Sequence, residues 1–307
     1  MTDYNKENET CKRKGHFSIE KNREFTKMTL AKILNNIDTS ALMAAFPQGI
    51  VTIDVETTGL SPVVDKVIEL SAVKLTPEGL ETFDELIDPE IEIPQVTINI
   101  HGITQKMIEG KEKIETVLPK FLQFCGDLPL LAHNAKFDVG FLVFDIHKLG
   151  LKLPNSPVFC SIKLSRATFK ESENHKLGTL ATFLNIPLEN HHRALDDAFA
   201  SLLIFNEALK KGSKKSGGYL FNINNFSKLN EYEIPKKLQG IDKFLIKQTP
   251  IEIRYKGGSH KGKFREIKPV SILPMPTGLV LYAYCELDQM YKSFSLKKIA
   301  EYREVDK

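Results

Sequence analysis

In the stretch VTIDVETTGL, Val51 to Leu60, Asp54 and Glu56 stand two residues apart inside what otherwise reads as a buried β-strand. Side chains alternate faces along a strand, so both carboxylates leave one side while Ile53 and Val55 point into the core. Two ionised acids placed this way lose hydration and repel each other unless a cation lies between them. Hard oxygen ligands of this kind suit Mg²⁺ or Mn²⁺. In LLAHNAKFDVGFL, Asp138 falls in the first turns of a helix, among Phe137, Phe141 and Leu142. Compensation of the helix dipole is its plainer role, and the apolar surround favours a metal ligand. In HHRALDDAFASLL, Asp197 shares a helix face with Ala194, Ala198 and Ser201, whereas Asp196 shares one with Arg193 and Ala200. The small-residue face can approach a sheet closely, which makes Asp197 the buried acid of the pair. His192 stands just before this helix, where its imidazole can swing over a metal site or simply cap the helix. Four carboxylates and one histidine, with no cysteine ligand, match two-metal phosphodiester chemistry.

An α/β layered domain over residues 49–209 would bring these segments to one end of a sheet. Its strands are read at GIVTIDVET, KVIELSAVKLT, ETFDELIDP, LPLLAHN and PVFCSI, with helices between and after them. Residues 26–48 read as a short helical segment stopped by PQG, and residues 1–25 have the composition of a disordered tail. KKGSKKSGG is a Gly/Ser/Lys stretch, so residues 210–234 are expected to form a linker. From Pro250 the apolar period becomes two, through IEIRYKG, REIKPVSIL, GLVLYAYCEL and YKSFSL, as expected of a small β-barrel over residues 235–307.

The 307 residues carry a net charge of +3 that hides an asymmetry. Residues 50–209 hold 14 basic against 23 acidic side chains, while residues 210–307 hold 20 against 10. An acidic middle joined to a basic end fits contact with nucleic acid. No apolar run reaches the roughly 18 residues needed to span a bilayer, and the N-terminus lacks an apolar signal-peptide core, so no membrane partner is expected. The four scattered cysteines form no C-x-x-C pair and favour a reducing cytoplasm over a disulfide framework.

TIDVETTG, HNAKFDVGF and HRALDDA, in this order and with INIHGIT between the first two, resemble the motifs of the DEDDh 3′–5′ exonucleases, which include bacterial proofreading subunits and RNase T. The resemblance implies an RNase H-like domain with a mixed sheet and flanking helices. It implies metal ligands at Asp54, Glu56, Asp138 and Asp197 for two divalent cations, Mg²⁺ or Mn²⁺, and a general base at His192. Thr57, Thr58, His101 and Asn134 would contact the terminal nucleotide. The implied reaction is hydrolysis at nucleic-acid 3′ ends in DNA replication or repair, with single-stranded DNA as the first expectation and no polymerase partner identified. Trimming of RNA 3′ ends and an inert ligand-sensing regulator are the alternatives. Residues 235–307 resemble a WYL domain, an SH3/Sm-like β-barrel, through IEIRY, REIKPVSIL and YAYCELDQMYKSFSLKKI. That likeness puts Leu279, Val280 and Leu281 at the eponymous tripeptide and Arg265, Lys292 and Lys298 toward a ligand or nucleic acid. Two of those three are lysines, which keep charge without the bidentate fork of arginine. On this reading the basic module rides on a flexible linker and raises the local concentration of substrate.

Overall fold

The computed structural model describes residues 30, 32–34, 36–188, 193–228, 232–247, 249–258 and 260–305. The expected tail, residues 1–25, and the expected base His192 lie outside that set, as does part of the 26–48 segment. The chain divides into residues 1–40 and 41–307. The second unit is described here, with the short helix α1 (Ser40–Ala45) at its start.

Strand β1 (Ile50–Thr57) pairs antiparallel with β2 (Val67–Thr76), and β2 with β3 (Gly79–Leu86). On its other edge β1 runs parallel to β4 (Leu130–Ala132), β4 parallel to β5 (Pro157–Cys160), and β5 antiparallel to β6 (Tyr219–Asn222). The result is a mixed six-stranded sheet in the order β3-β2-β1-β4-β5-β6. Helices α2 (Gln95–His101), α3 (Gln105–Ile108), α4 (Ile114–Cys125), α5 (Ala135–Lys148), α6 (Ser161–Thr168), α7 (Leu177–Phe183) and α8 (Ala194–Lys210) complete this part. Val51, Ile53 and Val55 join Phe121 of α4 and Val139 and Phe141 of α5 in one core. The alternate residues of β1 leave the other face, where α8 lies against β1 and β2. This parity is what separates the carboxylates of β1 from its apolar residues. No helix among the described residues is long and apolar enough to cross a membrane.

The expected linker is corrected by β6, which pairs Asn222 with Pro157 and Phe221 with Val158 on β5. The glycines that suggested flexibility allow close packing instead: a Cβ on Gly218 would lie 2.6 Å from the Phe205 ring. The Gly218 carbonyl accepts a hydrogen bond from the Cys160 N–H at 2.9 Å. Lys215 donates to the Ala45 carbonyl and stands 4.9 Å from the Phe46 ring centre. Composition alone cannot tell a glycine kept for entropy from one kept for want of room.

Helix α9 (Asp242–Lys247) precedes β7 (Ile251–Tyr255), β8 (Phe264–Leu273), β9 (Val280–Cys285), β10 (Met290–Ser295) and β11 (Ile299–Glu304). These strands form an antiparallel sheet in the order β10-β9-β8-β7-β11. Among the described residues no ladder joins β10 to β11, so the expected barrel is observed as a five-stranded sheet. Pairing between β7 and β8 stops at Ile267, which leaves the second half of β8 with an open edge, and Pro269 at its start has no N–H to offer. Ser61, from the turn after β1, fills that edge. Its hydroxyl donates to the Ile272 carbonyl at 3.2 Å and accepts the Ile272 N–H at 3.1 Å, both buried. Beside it, Gly140 of α5 admits the Leu273 side chain, 3.3 Å from where a Cβ would stand. The C-terminal sheet is thus fastened both to the turn that follows Asp54 and Glu56 and to the helix that carries Asp138.

Candidate active site

Asp54 and Glu56 lie in the C-terminal half of β1, and Asp197 in the first turn of α8. One carboxylate oxygen from each comes within 4.8 Å of the other two. Asp197 is buried beside Ala194, Ala198 and Ser201, the face read from the helical spacing, while Asp196 is only half-buried. Replacing Asp196 with alanine is therefore expected to change turnover no more than about twofold, as for an ordinary surface substitution. A large loss in steady-state cleavage would reverse the assignment of the two aspartates.

Asp138 adds its charge to the group. It sits in the first turn of α5, 3% exposed, and accepts hydrogen bonds from the Val55 N–H and its own N–H. Those bonds favour the carboxylate, yet burial outweighs them and pushes its pKa up to about 7. Burial and the neighbouring acids Glu69, Asp197 and Asp138 raise Glu56 to about 9, opposed by Arg193. Burial, followed by Asp138, Asp197, Glu56 and Glu69, drives Asp54 well above the usual carboxylate range. An all-oxygen group whose members repel each other this strongly fits a hard divalent cation, which would hold every member ionised.

The softer assignments divide. Thr57 and Thr58 are buried and serve the turn: the Thr57 hydroxyl donates to the Gly59 carbonyl, and the Thr58 hydroxyl accepts the Lys66 N–H at 2.9 Å. His101 ends α2, buried, with Nδ1 accepting the Ile103 N–H at 3.0 Å. Asn134 stands at the N-cap position of α5 without a side-chain cap and is exposed. In the C-terminal sheet Arg265 is 4% exposed, with Nη1 3.5 Å from Asp288 and with Nε and Nη2 lacking a hydrogen-bond partner. Lys292 pairs with Asp288 at 2.7 Å, and Lys298 is exposed.

One residue at the site, Glu69, went unnoticed in the sequence, and Arg193 was read there only as a neighbour of Asp196. Glu69 of β2 stands directly across the ladder from Glu56, is fully buried, and accepts a 2.7 Å hydrogen bond from Arg193 Nη2. The available signal was a glutamate in the middle of VIELSAV, an apolar strand that tolerates a charge only with a partner.

The match to the family profile RNase_T: Exonuclease spans residues 51–205, half of the chain. A DNA polymerase III PolC-type of Clostridium perfringens is 36% identical over 272 residues, covering 84% of this chain and 19% of that protein. The PolC-type polymerase of Caldanaerobacter subterraneus is 42% identical over 162 residues, covering 52% of this chain and 12% of that protein. The chain thus spans a fifth or less of the length of these relatives. Among solved structures, exonuclease I superposes with a TM-score of 0.50 at 13% identity over 77% of this chain and 55% of that one, a likeness of fold. With the acidic group at the sheet end and the profile match over the segment that builds it, the chain belongs to the RNase T exonuclease family.

Proposed function

We propose that the chain is a metal-dependent 3′–5′ exonuclease that hydrolyses terminal phosphodiesters of single-stranded DNA in the cytoplasm. The observation that carries this reading is the meeting of Asp54, Glu56 and Asp197 within 4.8 Å, with Asp138 in electrostatic range. Asp54, Glu56, Asp138 and Asp197 would hold two cations, Mg²⁺ or Mn²⁺, which supply positive charge to an in-line displacement at phosphorus. His192, five residues before Asp197, takes the proton of the attacking water; a neutral imidazole suits this because its usual pKa is about 6.5. DNA is favoured over RNA because the relatives are DNA polymerases by name. In the C-terminal sheet, the unpartnered N–H groups of buried Arg265 support an anionic ligand or nucleic-acid phosphate there, with Lys292 beside it on Asp288 and Lys298 as the third member of the expected set.

The test is cleavage of end-labelled single-stranded DNA, duplex DNA and RNA of one sequence, with Mn²⁺ or Mg²⁺ and with chelator. Stepwise shortening from the 3′ end of single-stranded DNA is expected, and faster trimming of RNA would reverse the substrate assignment. His192→Ala should lower turnover by about 10²–10⁴-fold while Mn²⁺ binding stays at the parental level. His191→Ala should stay near the parent, and the opposite order of effects would move the role by one residue.

A further inference from the structure

Glu69 joins the two halves of the carboxylate group. Asp54 and Glu56 belong to β1, whose register is set by β2: Asp54 pairs with Ser71 and Glu56 with Glu69. Asp197 belongs to α8. Arg193, at the N-cap position of that helix, has an extended backbone and no side-chain cap of its own. The cap comes from Glu69 instead. Its Oε2 accepts the N–H of Ala194, the first helical residue, at 3.1 Å, and its Oε1 accepts Arg193 Nη2 at 2.7 Å. A buried carboxylate at a helix N-terminus satisfies donors that the helix leaves open and complements its dipole. One turn later the Asp197 N–H donates to the Arg193 carbonyl at 3.0 Å. A short, charge-assisted path therefore runs from the middle of β2 to the backbone of Asp197.

An acid facing Glu56 across a ladder is a poor choice for stability, since like charges directly opposite one another destabilise a sheet. The same buried position filled by an apolar residue would remove that repulsion, but it would leave the first turn of α8 without its partner. We propose that Glu69 is a positioning residue whose carboxylate, with Arg193, ties the start of α8 to β2 and thereby sets Asp197 at cation-binding distance from Asp54 and Glu56. This rests on the metal-dependent exonuclease reading.

The test compares full-length parent, Glu69→Gln and Arg193→Lys by three measurements: Mn²⁺ binding followed by the electron paramagnetic resonance signal of free Mn²⁺, kcat and KM on a single-stranded oligonucleotide, and thermal melting. Partners one shell outside a metal site typically contribute 10–100-fold to affinity or activity, and Glu69→Gln is expected to lose about that much in Mn²⁺ affinity and kcat. KM should stay within about threefold, since an effect confined to kcat marks an interaction that does not hold the substrate in the ground state. Arg193→Lys keeps the charge and loses the fork, so a smaller loss in the same direction is expected. Should Glu69→Gln fail to fold, Arg193→Lys alone decides by the same isotherm. Parental Mn²⁺ binding and kcat in a folded variant, even with a lowered melting temperature, would overturn the proposal and leave a purely structural ion pair. If the parent binds Mn²⁺ yet shortens no oligonucleotide, the exonuclease reading fails, while the Mn²⁺ isotherms still decide the role of Glu69.

Discussion

Purified Asp54→Asn protein, given Mn²⁺ and an end-labelled single strand, is expected to leave the strand at full length under conditions in which the parent digests it. Asp197→Ala should behave the same way. Each change removes one of three carboxylates whose oxygens meet within 4.8 Å, and with its negative charge most of the hold on a cation that would stabilise the reaction. A loss of about 10³-fold or more corresponds to the several kcal/mol such stabilisation supplies. Residual turnover within tenfold of the parent in either variant would remove these residues from the metal site.

Stability should move the opposite way. In metal-free protein Asp54 is half-buried and faces the charges of Asp138, Asp197, Glu56 and Glu69, so Asp54→Asn relieves desolvation and repulsion and should melt at or above the parental temperature. The pH dependence has a definite sign. Glu56 keeps its proton in the folded protein up to about 9, against 4.5 for the ordinary side chain. Between these values the unfolded chain has released a proton that the folded chain retains, so this contribution is fullest below pH 4.5 and falls as pH rises toward 9. Melting of chelator-treated parent across that range should show the decline, and added Mn²⁺ should reduce it. A flat profile would mean that burial and the neighbouring acids do not hold the proton on Glu56.

Removal of the C-terminal sheet by truncation after Lys228 is expected to impair cleavage of every substrate, a dinucleotide included. A tethered module that only gathers substrate would spare so short a substrate. The reason for the general loss is the fastening of β8 to the exonuclease sheet: Ser61 bonds both backbone groups of Ile272, and Leu273 packs over Gly140. Without β8, the turn that follows Asp54 and Glu56 and the outer face of α5 both meet water. A variant that folds poorly on truncation would leave the effect ambiguous, so Ser61→Ala serves as the finer probe. It strands a buried N–H and a buried carbonyl, worth about 1–3 kcal/mol in stability, and loosens the turn. A truncated protein with parental kcat on the dinucleotide would show that the sheet is a detachable accessory after all.

The spacing of Asp54 and Glu56, the small-residue face around Asp197 and the helical setting of Asp138 are local properties. A strand repeats every two residues and a helix about every 3.6, so side-chain direction follows from sequence offset alone. For that reason β1 to β5 of the first sheet, the choice of Asp197 over Asp196 as the buried acid and the acidic character of the site could be read without coordinates. The role of Glu69 could not, because it depends on which residue β2 sets opposite Glu56 and on where α8 begins, both long-range outcomes of register and packing. Thr57 and Thr58 looked available for substrate, and the turn uses their hydroxyls internally. The glycine-rich stretch before Tyr219 has the composition of a linker, yet Phe205 and the free edge of β5 recruit it as a sheet strand. Likewise nothing in SILP or in TTGLS announces that Ser61 will complete the open edge of β8. Sequence offsets determine which way a side chain points, and only tertiary packing decides what it meets there.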